Sequence, residues 1–294
     1  MQNSLIADIE SKMPGFSKSQ KYLAGFIIEH YEKAAFMTAA KLGAAVNVSE
    51  STVVRFAIEM GFEGYPEMQK ALQNYSKNRL TSVQRLDIAS DRLGGGNLIK
   101  NVFTQDMERL RVTLENLSEE NFNAAVDHIF EAEKIYIFGA MSSSVLSRFL
   151  YNYFSLVFDN VIYVEPINTS GILQQLIRVG SRDVMISLSF PRYSKNTLNA
   201  TAYAKKCGAN IIAITDSQTS PLAEYADELL LAKSDMVSFA DSLVAPLSLI
   251  NALLVAVGMR CRPQLEKTLE KLEEMLGIKS GAITSDLRFS LDAT

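Results

Sequence analysis

Hydroxyl side chains follow two apolar runs in the second half of the chain. KIYIFG (134–139) leads into Ala140-Met141-Ser142-Ser143-Ser144, and DVMISLS (183–189) leads into Phe190-Pro191-Arg192-Tyr193-Ser194. Hydroxyls beside the free N–H groups of a helix start hold a phosphate or carboxylate, and an arginine adds a charge-assisted contact. Serines after strands also serve as ordinary helix caps, so this alternative stays open. The predicted contacts for a small anionic metabolite are Ser142, Ser143, Ser187, Ser189, Arg192 and Ser194.

A second kind of chemistry is indicated by TAAKLGAAVNVSESTVVRFAIEMG (38–61). Its apolar residues are spaced so that two crossing helices share one seam. Gly43 is small where the helices must approach, and Asn47 tolerates positive φ at the bend. Ser49 is a natural N-cap for the second helix. The pattern predicts a helix-turn-helix.

The outward residues of the second helix are polar and stand in its first turns, the part of a recognition helix that enters a DNA major groove. The predicted DNA contacts are Ser49, Glu50, Ser51, Thr52 and Arg55. The alternative is a helical hairpin that serves only packing. Residues 1–77 carry eight Lys/Arg and eight Asp/Glu, so the segment lacks the basic surplus of most DNA-binding modules. We therefore expect basic groups clustered on one face, or two copies acting together.

These residues need two different kinds of scaffold. Residues 1–77 show helical periodicity throughout and predict an all-α helix-turn-helix domain. The polar stretch that ends in Gly94-Gly95-Gly96 predicts a linker over 78–97, followed by connecting helices over 98–133.

From Lys134 onwards, short β-rich apolar runs alternate with helical segments. This alternation predicts a doubly wound α/β domain with a parallel five-stranded sheet over 134–277. The polar residues 278–294 are predicted to be a C-terminal tail. Because ligands bind at the carboxyl ends of parallel strands, this fold would gather the serine-rich segments at one edge.

Composition and the absence of certain motifs exclude several classes of function. A chain of 294 residues with net charge −4 is long enough for two domains and argues against a nucleic-acid coat protein. No run approaches ~20 apolar residues, and the start lacks a signal-peptide pattern, so we expect a cytoplasmic protein without a membrane partner. His30, His128, Cys207 and Cys261 lack metal-ligand spacing. No dinucleotide or P-loop motif is present, so we expect neither a metal nor a cofactor.

The segment 16–72, above all VSESTVVRF and MGFEGYPE, resembles the N-terminal domain of the RpiR-type (MurR/RpiR) bacterial transcriptional regulators. DVMISLS, residues 207–232 and the helix after Ser238 resemble the SIS (sugar isomerase) domain that these regulators carry. The resemblance covers nearly the whole chain. It implies a cytoplasmic DNA-binding regulator that senses a small metabolite, often a phosphosugar, and assembles as a homodimer or homotetramer.

By the same resemblance, Ser143 matches the serine of the family's first ligand loop. Ser187, Ser189 and Ser194 match the hydroxyl residues of its SxSG[RK]T loop. The chain departs from the pattern in two places. Met141 stands where a glycine is usual, and Phe190-Pro191-Arg192 replaces the glycine after the second serine, with about one residue inserted. These departures leave open whether the effector is a phosphosugar or another small anion.

Two other functions are alternatives to that of a regulator. A sugar-phosphate aldose–ketose isomerase needs an acid and a base beside its substrate. The α/β half has no histidine, and its strand ends offer chiefly Glu165 and Asp216, so we expect no catalytic residue and no enzyme activity. A non-catalytic scaffold would bind neither DNA nor a metabolite.

Overall fold

The computed structural model of the chain describes residues 5–76, 80–93, 97–235 and 237–276. These residues form two compact units. The first runs to Glu108 and includes Pro191–Tyr193 and Ser234–Ser242, and the second holds the remaining described residues.

The first unit is helical, as predicted. Its elements are α1 (Leu5–Lys12), α2 (Lys18–Glu29), α3 (Tyr31–Ala34), α4 (Ala39–Ala45), α5 (Glu50–Glu59), α6 (Tyr65–Ser76), α7 (Ser82–Leu93) and the first half of α8 (Leu98–Asn116). Ser17 and Gln20 form a capping box that starts α2. Fully buried residues from five of these helices make one core, namely Ile9, Leu23, Leu42, Phe56 and Met68.

The segment predicted as a linker contains a helix that the sequence prediction missed. Within 78–97, α7 occupies Ser82–Leu93, and Ile88 and Ala89 are buried. Arg85 is also buried. Because charged residues are usually exposed, the sequence predicts more solvent exposure for this segment than the structure shows. The triple glycine 94–96 lies outside the described residues.

The second unit contains a parallel sheet in the order β2-β1-β3-β4-β5, which confirms the predicted fold class. Its strands are β1 (Ile135–Gly139), β2 (Val161–Tyr163), β3 (Val184–Leu188), β4 (Asn210–Thr215) and β5 (Glu228–Leu231). β1 and β3 lie within the apolar runs 134–139 and 183–189 from which they were predicted. The helices α9 (Glu119–Glu131), α10 (Ser143–Phe154), α11 (Thr169–Gln175), α12 (Lys195–Lys206), α13 (Val244–Arg260) and α14 (Arg262–Met275) complete the unit.

Helices cover both faces of the sheet. Ile137, Ile186 and Ile212 pack with apolar residues of α9, α10 and α13 in one core cluster. The alternate residues Tyr136 and Met185 pack with residues of α11 and α12 in another. With both faces buried, only the ends of the strands are left for a site.

Among the described residues, no single helix is long and apolar enough to cross a membrane. The adjoining helices α13 and α14 reach that length only together, and they meet at a bend of 99°.

Candidate functional site

The first candidate site is the pair of helices α4 and α5. They are joined by a tight turn in which Asn47 has φ 58° and the Val48 N–H donates to Gly43 O over 2.9 Å. A Cβ atom added at Gly43 would lie 2.7 Å from Val48 O, closer than side chains tolerate. The predicted roles of Gly43 and Asn47 in this turn are therefore confirmed by the geometry.

Hydroxyl groups cluster at the first turn of α5. Ser49 accepts a hydrogen bond from the Thr52 N–H over 3.2 Å and so caps the helix, as predicted. The Ser49 hydroxyl also lies 2.8 Å from the hydroxyls of Ser51 and of Thr52. These contacts fix the start of α5 while leaving Ser49, Glu50 and Ser51 exposed and Thr52 half-buried.

Arg55 is exposed on the same face of α5, and its Nε donates to Ser51 O over 3.3 Å. The structure thus brings all five predicted DNA contacts onto one helix start. Val53, Phe56 and Ala57 anchor the opposite face in the core. A rigid helix with hydroxyls, one carboxylate and one guanidinium in its exposed first turns can present donors and acceptors to base edges.

The second candidate site lies at the carboxyl ends of β1 and β3. These strands are neighbours in the sheet, and Gly139 pairs in register with Leu188, so both chains leave the sheet at the same level. The connections from β1 and β3 run to opposite faces, which makes this edge the topological switch point where open α/β sheets bind ligands. The two serine-rich loops begin here.

The loop after β1 is held close to the helix that follows it. Met141 has φ 58°, and the Ser144 hydroxyl donates to Met141 O over 2.7 Å. A Cβ atom added at Gly139 would lie 2.8 Å from Ser143 O, so β1 and the start of α10 are in close contact. Ser142 is exposed and its side chain does not cap α10, whereas Ser143 is buried.

The serines of the loop after β3 differ in how deeply they are buried. Ser189 is buried at the strand end, and Ser194 is half-buried at the start of α12 without capping it. The Ala140 N–H donates to Thr197 Oγ1 over 3.3 Å, which ties the first loop to the first turn of α12. The structure therefore brings Ser142, Ser143, Ser189 and Ser194 to one edge of the sheet.

Two of the predicted anion contacts are placed differently. Ser187 has no exposed surface, and its hydroxyl lies 2.7 Å from Thr201 Oγ1 beneath α12, so a direct contact with a ligand would require this hydrogen bond to break. Arg192 has φ 73° and belongs to the first unit, where its guanidinium pairs with Asp241 over 3.0 Å.

Sequence reasoning missed Thr197 and Asp241. Thr197 follows Ser194 by three residues, so the hydroxyl-rich start of α12 could have pointed to it. Asp241 is 49 residues from Arg192, and no sequence pattern connects them. In the described parts of the chain, no three His, Cys, Asp or Glu side chains lie together as a metal site would require.

Both halves of the chain are similar to known protein families. The profile of the helix-turn-helix domain of the rpiR family matches residues 3–79, and the SIS domain profile matches residues 128–256. The HTH-type transcriptional regulator HexR of Escherichia coli is 26% identical over 279 residues, covering 93% of this chain and 94% of HexR.

Solved structures show the same architecture. The sugar isomerase domain of an RpiR transcription factor from Sphaerobacter thermophilus is 29% identical, with a TM-score of 0.57, and covers 61% of this chain and 99% of that one. The Vibrio vulnificus NanR protein complexed with ManNAc-6P is 22% identical, with the same TM-score, over 95% of this chain and all of NanR. With a helix-turn-helix domain of the rpiR family followed by a SIS domain, the chain belongs to the RpiR-type transcriptional regulators.

Proposed function

We propose that this regulator binds operator DNA through α5, and that a small anionic metabolite bound in the SIS domain controls its operator affinity. The observation that carries the DNA-binding part is the exposed polar start of α5, which the α4–α5 turn and the Ser49 cap hold rigidly. Bacterial DNA lies in the cytoplasm, so we expect the protein to act there.

Arg55 is the residue best suited to read a base. A guanidinium makes bidentate hydrogen bonds to guanine O6 and N7 in the major groove. In the structure, Arg55 is exposed and its Nε donates to Ser51 O, so the side chain can extend towards DNA without disturbing the core. Exposed lysines of the same unit supply phosphate contacts, namely Lys18, Lys21, Lys41 and Lys70.

The test is DNA binding by fluorescence anisotropy on the stretch upstream of the protein's own gene, with scrambled DNA as the comparison. We expect Arg55→Ala to weaken specific binding by ~1–3 kcal/mol, with less effect on scrambled DNA. The matched control is Arg111→Ala, which removes an exposed arginine of α8 that pairs with Glu115. If Arg55→Ala binds the upstream DNA as wild type does, α5 is not the recognition helix.

For the effector we propose a phosphosugar or a related small anion. The support is the position of Ser142, Ser143, Ser189 and Ser194 at the switch point, together with the complex of NanR with ManNAc-6P. A ligand changes DNA affinity only if it binds the two conformations of the regulator unequally. A coupling of ~1–3 kcal/mol would change operator affinity about 5- to 150-fold, so a panel of sugar phosphates in the anisotropy assay would reveal it.

We further propose that the protein acts as a homodimer or homotetramer. On α8, Ile99, Phe103 and Met107 are each more than 60% exposed at helical spacings of four residues. Such an apolar stripe is typical of an interface. A second copy is the occupant we propose, because two recognition helices ~34 Å apart match two half-sites on one face of the duplex. Two copies also offset the lack of basic surplus in residues 1–77.

A further inference from the structure

Gln20 connects the start of α2 to α5, the proposed recognition helix. Its Oε1 accepts the Ser17 N–H over 2.8 Å in the capping box of α2. Its Nε2 donates to Glu59 Oε2 in the last turn of α5. Both ends of the side-chain amide are therefore engaged, and a carboxylate of α5 is held towards α2.

Glu59 follows Arg55 by four residues on α5. Side chains four residues apart on a helix are neighbours, so this carboxylate is within reach of the Arg55 guanidinium. In the described part of the chain, however, no ion pair joins the two. Arg55 donates to Ser51 O, and Glu59 accepts from Gln20.

The same spacing does form ion pairs in two other helices. Arg111 pairs with Glu115 on α8, and Arg262 pairs with Glu266 on α14, each with the arginine four residues before the glutamate. These side chains are exposed at both partners, as Arg55 and Glu59 are. The order and spacing on α5 thus permit an ion pair. What differs on α5 is that the carboxylate has a partner from another helix.

We propose that Gln20 is a positioning residue for DNA recognition, which engages Glu59 and so keeps Arg55 free to reach a base edge. The inference rests on the proposed function, in which Arg55 is the base-reading residue. A guanidinium paired with a neighbouring carboxylate would have to leave that pair before it could make a bidentate contact with guanine. By holding Glu59 towards α2, Gln20 removes this competition.

An apolar contact fixes the position from which Gln20 acts. Phe16, two residues before the first residue of α2, is 6% exposed, and its ring centroid lies 5.2 Å from that of Phe56 on α5 in an edge-to-face arrangement. Moving the start of α2 away from α5 would open this buried contact. A change confined to the Gln20 amide therefore alters the hydrogen bond with Glu59 and leaves the helices in place.

Gln20→Glu tests the inference with a small change. Glutamate also serves at this position of a capping box, so the start of α2 is kept. The donor to Glu59 is lost, and repulsion between the two carboxylates favours pairing of Glu59 with Arg55. In the anisotropy assay at low salt, we expect the ratio of affinities for upstream and scrambled DNA to fall about twofold, the strength of a pair at this spacing.

Three further variants separate this effect from that of the added charge. Ser19→Glu places the same charge on the adjoining exposed position of α2 and should leave the ratio unchanged. Gln20→Glu combined with Glu59→Gln restores the total charge and forms the hydrogen bond with donor and acceptor exchanged, so the ratio should return to the wild-type value. In an Arg55→Ala background, Gln20→Glu should not change the ratio further.

Any one of three results would overturn the inference. The first is an unchanged ratio in Gln20→Glu, and the second is an equal loss in Ser19→Glu. The third is a loss that persists in the exchanged pair or in the absence of Arg55. Wild type and Arg55→Ala are measured alongside. If wild type prefers the upstream DNA and Arg55→Ala loses this preference, such a result contradicts only this inference. If the two bind alike, the assignment of α5 as the recognition helix fails instead.

Discussion

Asn47, Met141 and Arg192 are the described residues other than glycine that have positive φ. One lies in the helix-turn-helix turn and two lie in the strand-end loops assigned to the effector. The left-handed conformation costs residues with a Cβ roughly 1–2 kcal/mol, so it persists only where the surroundings impose it. Met141 and Arg192 thus hold a backbone conformation that glycine would adopt without this cost. Local strain is thus concentrated in the turn and loops to which both proposed functions are assigned.

Because of Tyr65, we expect the stability of the first unit to fall as the pH rises above 10. Burial raises the pKa of Tyr65 to about 12, and its hydroxyl donates to Met37 O over 2.8 Å. In the unfolded chain a tyrosine ionises near pH 10. The stabilisation is therefore complete below pH 10, and we expect it to fall by about 1.4 kcal/mol per pH unit as pH rises from 10 towards 12. Urea unfolding at pH 7, 10 and 11 measures this loss.

Tyr65→Phe separates this contribution from that of the other titrating groups. The variant should lose about 1 kcal/mol at pH 7, because one hydrogen bond is removed while Met37 O still accepts from Gln69. Above pH 10 its stability should fall less steeply than that of wild type. Equal slopes in the two proteins would mean that Tyr65 does not remain protonated in the fold.

The contact between α4 and α5 depends on the absence of a side chain at Gly43. Because an added Cβ would meet the backbone oxygen of Val48, Gly43→Ala should destabilise the first unit by about 1–3 kcal/mol and lower DNA affinity. Gly25→Ala is the matched control, since a Cβ there meets no atom within 4 Å and α2 favours alanine over glycine by about 0.5–1 kcal/mol. Chemical unfolding and DNA titration of both variants compare the two sites. Equal effects would show that the helices do not approach as closely as described.

Local patterns predicted most of the secondary structure. The Ser49 cap, a helix after residue 97 and strands within 134–139 and 183–189 follow from short-range spacing and are confirmed by the structure. The misses are non-local. α7 was assigned to a linker because its polar composition hides the burial of Arg85, which depends on Asp241, 156 residues away. The hydrogen bond between Ser187 and Thr201 is likewise not predictable, because the sequence shows only the position of Ser187 in the strand.

The two halves of the chain carry chemically different surfaces. The first has the polar start of α5, the surface that we propose contacts DNA, and as many acidic as basic residues in 1–77. The second gathers neutral hydroxyls at the switch point of a sheet. Neither surface is strongly cationic, so high operator affinity requires more than the charge of one copy. An assembly of two copies meets this requirement because the second half-site binds at high effective concentration.

Phe103→Glu tests this dependence on assembly. Phe103 is 67% exposed in the middle of the α8 stripe, and a carboxylate there would not be tolerated in an apolar interface. We expect the variant to sediment as a smaller species. Its affinity for DNA with two half-sites should fall about 100-fold or more, while its affinity for a single half-site stays unchanged. Thr104→Glu, an equal charge change on an adjoining exposed position of α8, should alter neither the assembly nor the DNA affinity. If Phe103→Glu keeps the wild-type mass and affinity, the stripe on α8 is not the interface that brings two recognition helices together.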